Sequence, residues 1–196
     1  FRERCTHTIC DEAREPIIMK HDGSRASIYA ASVTSGGLPA CKWIRLACKR
    51  HLDDLVRPDI YYDLDEEFKR ISFIETILTL EDGSPMKLFD WQIFFLGNLY
   101  CWKRNDTGLR RFKNATLFIP RKSGKSALLA AMMISSLVMD GVAYGQAYAV
   151  AADRGQASLL RDYMSGFIKR SPELLKIFDV QTWLTRNKLT DTTMRA

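Results

Sequence analysis

The sequence predicts an α/β fold in which a parallel sheet is flanked by helices and preceded by a helical lead, with the sheet incomplete within the 196 residues. Three observations predict it. Apolar residues recur at helical spacing from about Cys41 to Trp102, whereas Ala115-Thr116-Leu117-Phe118-Ile119 and Gln146-Ala147-Tyr148-Ala149-Val150-Ala151 are short β-type runs. Each β run is followed by a helical run after a short connection, the pattern of parallel strands covered by helices. The composition, 46% hydrophobic and 27% charged, supports a real core.

In chain order, residues 1–40 are polar and poorly periodic, and Ser35-Gly36-Gly37-Leu38-Pro39 reads as a linker or turn. Residues 41–110 form the helical lead. Its first helix runs from Cys41 to Val56, with Trp43, Ala47, Leu52, Leu55 and Val56 as the apolar face, and stops before Pro58. Asp63 or Asp65 caps a second helix with the stripe Phe68, Ile71, Ile74 and Leu78. Glu81-Asp82-Gly83-Ser84-Pro85 is a turn. A third helix, with Asp90 as cap, runs through Trp102 and is apolar nearly all round, so it is expected to be buried on most sides. Residues 111–196 are the first part of the α/β domain: the strand at 115–119, an apolar helix from Ala127 to Met139, the strand at 146–151, and a helix from Arg154 to Lys169. The opening on Phe1 and the last nine residues, which carry no helix or strand signal, predict a piece of a longer polypeptide.

Composition excludes several classes. Aromatic content of 11% with only 11 Gly and 6 Pro rules out disorder and collagen. No apolar run approaches the ~18 residues of a membrane span, and no charged-then-apolar opening marks a secretory signal. Cys5, Cys10, Cys41, Cys48 and Cys101 are odd in number and contain no C-x-x-C pair, which fits reduced thiols better than a disulfide framework. Cys5, His7 and Cys10 lie close together, but without a matching second cluster they do not make a zinc site.

Net charge is +6, and it is unevenly placed. Between Trp102 and Lys125 stand Lys103, Arg104, Arg110, Arg111, Lys113, Arg121, Lys122 and Lys125, opposed only by Asp106, a local +7. The remainder of the chain is net −1. A positive field of this kind favours an anionic partner, either nucleotide phosphate or nucleic acid, although a solvated basic loop would look the same.

The junction after the first β run reads Ile119-Pro120-Arg121-Lys122-Ser123-Gly124-Lys125-Ser126. Gly-Lys-Ser between a strand and a helix is the second half of the phosphate-loop pattern G-x-x-x-x-G-K-[ST]. Glycine lets the backbone curl so that successive amides face one anion, and the helix start adds unpaired N–H groups. Lys125 can reach outer phosphates, and the Ser126 hydroxyl can ligate Mg²⁺ bridging them. By chance the tripeptide occurs in roughly one chain in ten of this length, so its flanks carry the weight. The position of the first glycine is Ile119.

Pro120 to Ser126, with that glycine missing, resembles the deviant Walker A loop of bacteriophage terminase large subunits. Asp90-Trp91-Gln92 before an apolar helix looks like that family's Trp-Gln element, with Asp90 where proline is expected. Cys41-Lys42-Trp43-Ile44-Arg45-Leu46-Ala47-Cys48 resembles its N-terminal helix, and Ala151-Ala152-Asp153-Arg154-Gly155-Gln156-Ala157 the segment after its second strand. The resemblance spans roughly residues 41–170. It implies a P-loop NTPase-type fold and an ATPase that drives double-stranded DNA into a procapsid. It also implies ATP and Mg²⁺ as cofactors, the portal protein and small terminase subunit as partners, a ring on the portal, and the host cytoplasm as location. Lys125 and Ser126 would hold phosphate and Mg²⁺, Gln92 would contact adenine, and Arg121 would steady γ-phosphate charge, with Pro120, Lys122, Ser123 and Gly124 completing the loop.

Hydrolysis also needs a Walker B acid. Asp153 follows an apolar run, but Arg154 stands where a second carboxylate is expected, so Asp153 reads as a strand end and the paired acids as lying beyond residue 196, as does any nuclease part. Two other readings fit the residues: a helicase-like nucleic-acid-dependent ATPase, and a nucleic-acid-binding module without nucleotide chemistry, motivated by the basic stretch.

Overall fold

The computed structural model describes residues 22–182 and 184–195. The elements, in chain order, are α1 (Arg25–Thr34), α2 (Lys42–Asp54), β1 (Ile60–Tyr62), α3 (Leu64–Ile77), α4 (Asp90–Tyr100), β2 (Trp102–Arg104), α5 (Lys125–Met139), β3 (Gln146–Tyr148), α6 (Arg154–Arg170), α7 (Pro172–Ile177), β4 (Phe178–Val180), β5 (Leu184–Asn187) and β6 (Thr193–Arg195). The α/β class is as expected. The sheet, however, is mixed: in the order β3-β6-β5-β4 only β3 and β6 run parallel, and the other pairs are antiparallel. Strands β1 and β2 form a separate antiparallel pair.

Local chemistry explains the helix starts. Asp63 caps α3 by accepting from the Glu66 N–H at 2.9 Å, and Asp65, Glu66 and Glu67 place negative charge in its first turn, complementing the helix dipole. Asp153 caps α6 through the Gln156 N–H at 3.0 Å. Helix α1 is capped twice. Ser24 Oγ accepts from Ser27 N–H, and the buried Glu67 carboxylate of α3 accepts from the backbone N–H groups of Arg25 and Ala26 at 3.2 and 3.0 Å. Burial raises the Glu67 pKa above the usual carboxylate range. At α4 the cap position is Phe89, and Asp90 sits in the first turn rather than at the cap.

The main core joins α3, α4, α5 and α6. Ile74, Leu78, Ile93, Leu128, Ile134, Met164 and Ile168 are all fully buried in it. Each such side chain contributes roughly 1.5–3 kcal/mol of transfer free energy. Helix α4 is buried nearly all round, as its apolar sequence predicts. A second cluster, built on Ala26, Ala30, Val33, Cys48 and Phe94, seats α1 against α2 and α4. Gly97 permits this approach, because a Cβ there would collide with the Tyr62 hydroxyl and lie 3.0 Å from Ala26 Cβ.

Beside this cluster His51 is completely buried, edge-on to Tyr62, Phe94 and Trp102 with ring centres 5.3–5.5 Å away. Burial holds its pKa down at about 4.

Four further expectations are corrected. The face that α2 buries is Cys48, His51 and Asp54, whereas Trp43 is 74% and Val56 85% exposed. The reason is polar: Asp54 turns inward to ion-pair with Arg57 and Arg111, and His51 turns inward to Trp102 and Ser27. In α3, Ile71, Ile74 and Leu78 are buried as expected, but Phe68 is exposed. Residues 115–119 form no strand among the described residues, and Phe118 is 98% exposed. Finally, the last stretch does hold strands, because β5 and β6 form a hairpin in which Asn187 N–H donates to the Thr192 carbonyl and Asp191 takes positive φ at the turn. Cys5, His7 and Cys10 lie outside the described residues.

Candidate phosphate-binding loop

Residues 121–124 make the turn that delivers the chain into α5. Two residues set its shape. Lys122 has φ of 65° and Gly124 φ of 73°, both in the left-handed region. Glycine takes that conformation at little cost, but a lysine there costs about 1–2 kcal/mol. Alternating hands of backbone conformation turn successive N–H groups towards one point and form a concavity for an anion. Helix α5 starts at Lys125, with the first helical bond running from Leu128 N–H to the Gly124 carbonyl at 3.0 Å. The N–H groups of its first turn lack intrahelical partners and carry the positive end of the dipole.

The side chains of Arg121, Lys122 and Lys125 are exposed, and none makes an ion pair among the described residues. Pro120 is exposed, while Ser123 and Ser126 are half-buried. Gln92 comes to the same place from a position distant in sequence. Its side chain is only 3% exposed, its Oε1 accepts from the Phe89 N–H at 2.9 Å, and its Nε2 lies 3.7 Å from where a Cβ on Gly124 would sit. The structure therefore brings Gln92 against the loop, with its carbonyl already used to cap α4. The donor set suits a polyanion: two left-handed residues, a helix start and three unpaired cations. The Ser126 hydroxyl is the loop's candidate oxygen ligand for a divalent cation. No cluster of three or more His, Cys, Asp or Glu among the described residues makes a metal centre by itself.

The rest of the basic stretch behaves differently. Lys103 pairs with Asp63 at 2.6 Å, Arg110 pairs with Asp140, and Arg111 pairs with Asp54. Three of the eight cations are thus neutralised, and three of the five left without an ion pair among the described residues, Arg121, Lys122 and Lys125, belong to the loop. That arrangement weakens the reading as a general nucleic-acid module.

At the far end of α5 the structure shows a support that the sequence did not reveal. Arg70, 2% exposed, pairs with Glu66 and Asp140 and lies 4.0 Å from the centre of the Tyr100 ring. Arg110 approaches the same ring at 4.7 Å and shares Asp140. Asp140 is the C-cap of α5, so this cluster fixes the end of the helix opposite the loop. No spacing signal links residues 70, 100, 110 and 140; only the fold does. Asp153, the Walker B candidate, is exposed and occupied as the α6 cap.

Comparison with known proteins adds two findings. The family described as terminase large subunit, ATPase domain, matches residues 90–195. A crystal structure of the HK97 bacteriophage large terminase is similar in fold, with a TM-score of 0.56 and 23% sequence identity. That similarity covers 66% of this chain and 26% of the other, so the chain spans about a quarter of that protein's length. No curated protein matches.

Proposed function

This chain belongs to the terminase large subunit ATPase-domain family, and from that premise we propose that it is the ATP-binding part of a viral DNA-packaging motor. In the parent protein, ATP hydrolysis would be coupled to translocation of double-stranded DNA into a procapsid. The observation that carries the reading is the loop from Pro120 to Ser126. It is curled by left-handed Lys122 and Gly124, opens α5, and presents Arg121 and Lys125 without anionic partners.

In this reading the α5 N-terminus and the loop amides cradle the phosphates of ATP, and the Lys125 ammonium sits against the outer ones. Ser126 would hold Mg²⁺, which neutralises phosphate charge when bound. Arg121 supplies a second positive charge at the loop's outer side. Gln92, beside Gly124, meets the adenine edge with its amide, and its use as the α4 cap holds that amide in place. Residues 41–110 pack as a lead on the ATPase core, and residues 111–196 form the first part of that core.

The same reading places the parent protein in the host cytoplasm, on a portal and with a small terminase subunit, in a ring of copies. No helix among the described residues is long and apolar enough to cross a membrane. The decisive experiment is calorimetric titration of Mg-ATP into wild type and Lys125→Ala. Loss of one or two charge-assisted hydrogen bonds, at ~1.5–3 kcal/mol each, should weaken binding at least tenfold. Equal affinities would reject the proposal.

A further inference from the structure

Helix α2 departs from the expected amphipathic pattern in a way that leaves a surface without a partner among the described residues. Between α1 and α2 lies an open groove of about 740 Å³ whose floor is made by Ala40, Leu46 and Leu52. Lys42, Arg45 and Lys49 line it at i, i+3 and i+7 along α2, so their charged ends form one row. Lys42 and Arg45 have no anionic partner among the described residues, and Lys49 is held only by the exposed Asp53 at 2.7 Å. A pair that exposed contributes little and is easily exchanged for a better one. Trp43, Ile44 and Leu46 are exposed on the same helix, and the Lys42 ammonium rests 5.8 Å from the Trp43 ring centre.

An apolar floor beside a row of cations has one complement. We propose that the α1–α2 groove docks an acidic amphipathic helix of a protein partner, whose aliphatic residues fill the floor and whose carboxylates meet Lys42, Arg45 and Lys49. The α2 wall of the groove, from Lys42 to Asp53, is about 16 Å long, which accommodates roughly three turns of an occupant. Duplex DNA would satisfy the cations but leave Leu46 and Leu52 against a polar backbone. A membrane surface calls for a continuous apolar face, and here the exposed apolar residues are interleaved with charge. The groove is separate from the phosphate loop, and the proposal stands whether or not the loop binds ATP.

The test is fluorescence anisotropy with the whole chain and a labelled helical peptide of about 14 residues, with Leu at i, i+3, i+7 and i+10 and Glu on both flanks. Saturable, salt-sensitive binding is expected, weakened at least about tenfold by Lys42→Glu with Lys49→Glu and by Leu46→Asp. These positions are exposed, and far-UV circular dichroism confirms that the variants fold. The proposal is overturned if the peptide does not bind, if a scrambled peptide of the same composition binds within about twofold, or if the variants leave affinity unchanged. It is equally overturned if the peptide is inert while duplex DNA or anionic vesicles bind through Lys42 and Lys49.

Discussion

Acidification should destabilise this protein through one imidazole, and the structure gives the direction of the effect and its order of magnitude. The indole N–H of Trp102 can only donate, so His51 Nδ1, 3.2 Å away, must be the unprotonated acceptor. Nε2 therefore carries the hydrogen and donates to Ser27 Oγ at 2.8 Å. A second proton would have to enter on Nδ1, facing the indole N–H inside an aromatic box. Burial holds the folded pKa at about 4, against 6.5 for the free side chain. Because the folded value is depressed, the unfolded chain binds the extra proton first, so stability is complete above pH 6.5 and falls as pH drops towards 4. At 1.36 kcal/mol per unit the limiting loss is about 3 kcal/mol, and at pH 5 it is about 2 kcal/mol. Urea unfolding of wild type and His51→Gln at pH 7.5 and pH 5 isolates this term, since glutamine keeps an acceptor for Trp102 but does not titrate. The wild-type loss should exceed the variant's by about 2 kcal/mol. A difference below about 0.5 kcal/mol would show that His51 is either accessible or already charged in the folded state.

Two further predictions concern α5. Arg70→Met removes the buried cation shared by Glu66 and Asp140, and breaking a buried pair from one side should cost about 3–5 kcal/mol in chemical denaturation; a loss under about 1 kcal/mol would mean that Arg110 alone satisfies Asp140. At the left-handed Lys122, replacement by Gly should preserve or raise the melting temperature, whereas a β-branched Val should lower it, and the reverse order would rule out the left-handed turn.

Much of the site was legible because its determinants are local. Gly124-Lys125-Ser126 marks a helix start by backbone chemistry alone, and the uninterrupted apolar run of α5 predicts its burial without knowledge of its neighbours. Asp63 announced the start of α3 by the same local logic, whereas Asp153, read as a strand end, turns out to cap α6. What escaped the sequence depends on distant partners. The α2 face was misread because Asp54 and His51 look like surface residues until Arg111 and Trp102 arrive from elsewhere in the chain to receive them. The strands β4 to β6 were missed because each is only three or four residues long, too short for alternation to register. The run at 115–119 has strand composition, but residues become a strand only where another backbone lies alongside.

The clamp at Asp140 has a consequence for motion. Helix α5 is about 22 Å long, with the loop at one end and Arg70 and Arg110 gripping Asp140 at the other. Sliding along its own axis would break several charged contacts at once, and swinging would pull Leu128, Ala130 and Ala131 out of the core. The helix is thus held at both ends, by charged contacts at Asp140 and by the buried Leu128, Ala130 and Ala131 beside the loop, so that the loop stands on a rigid support.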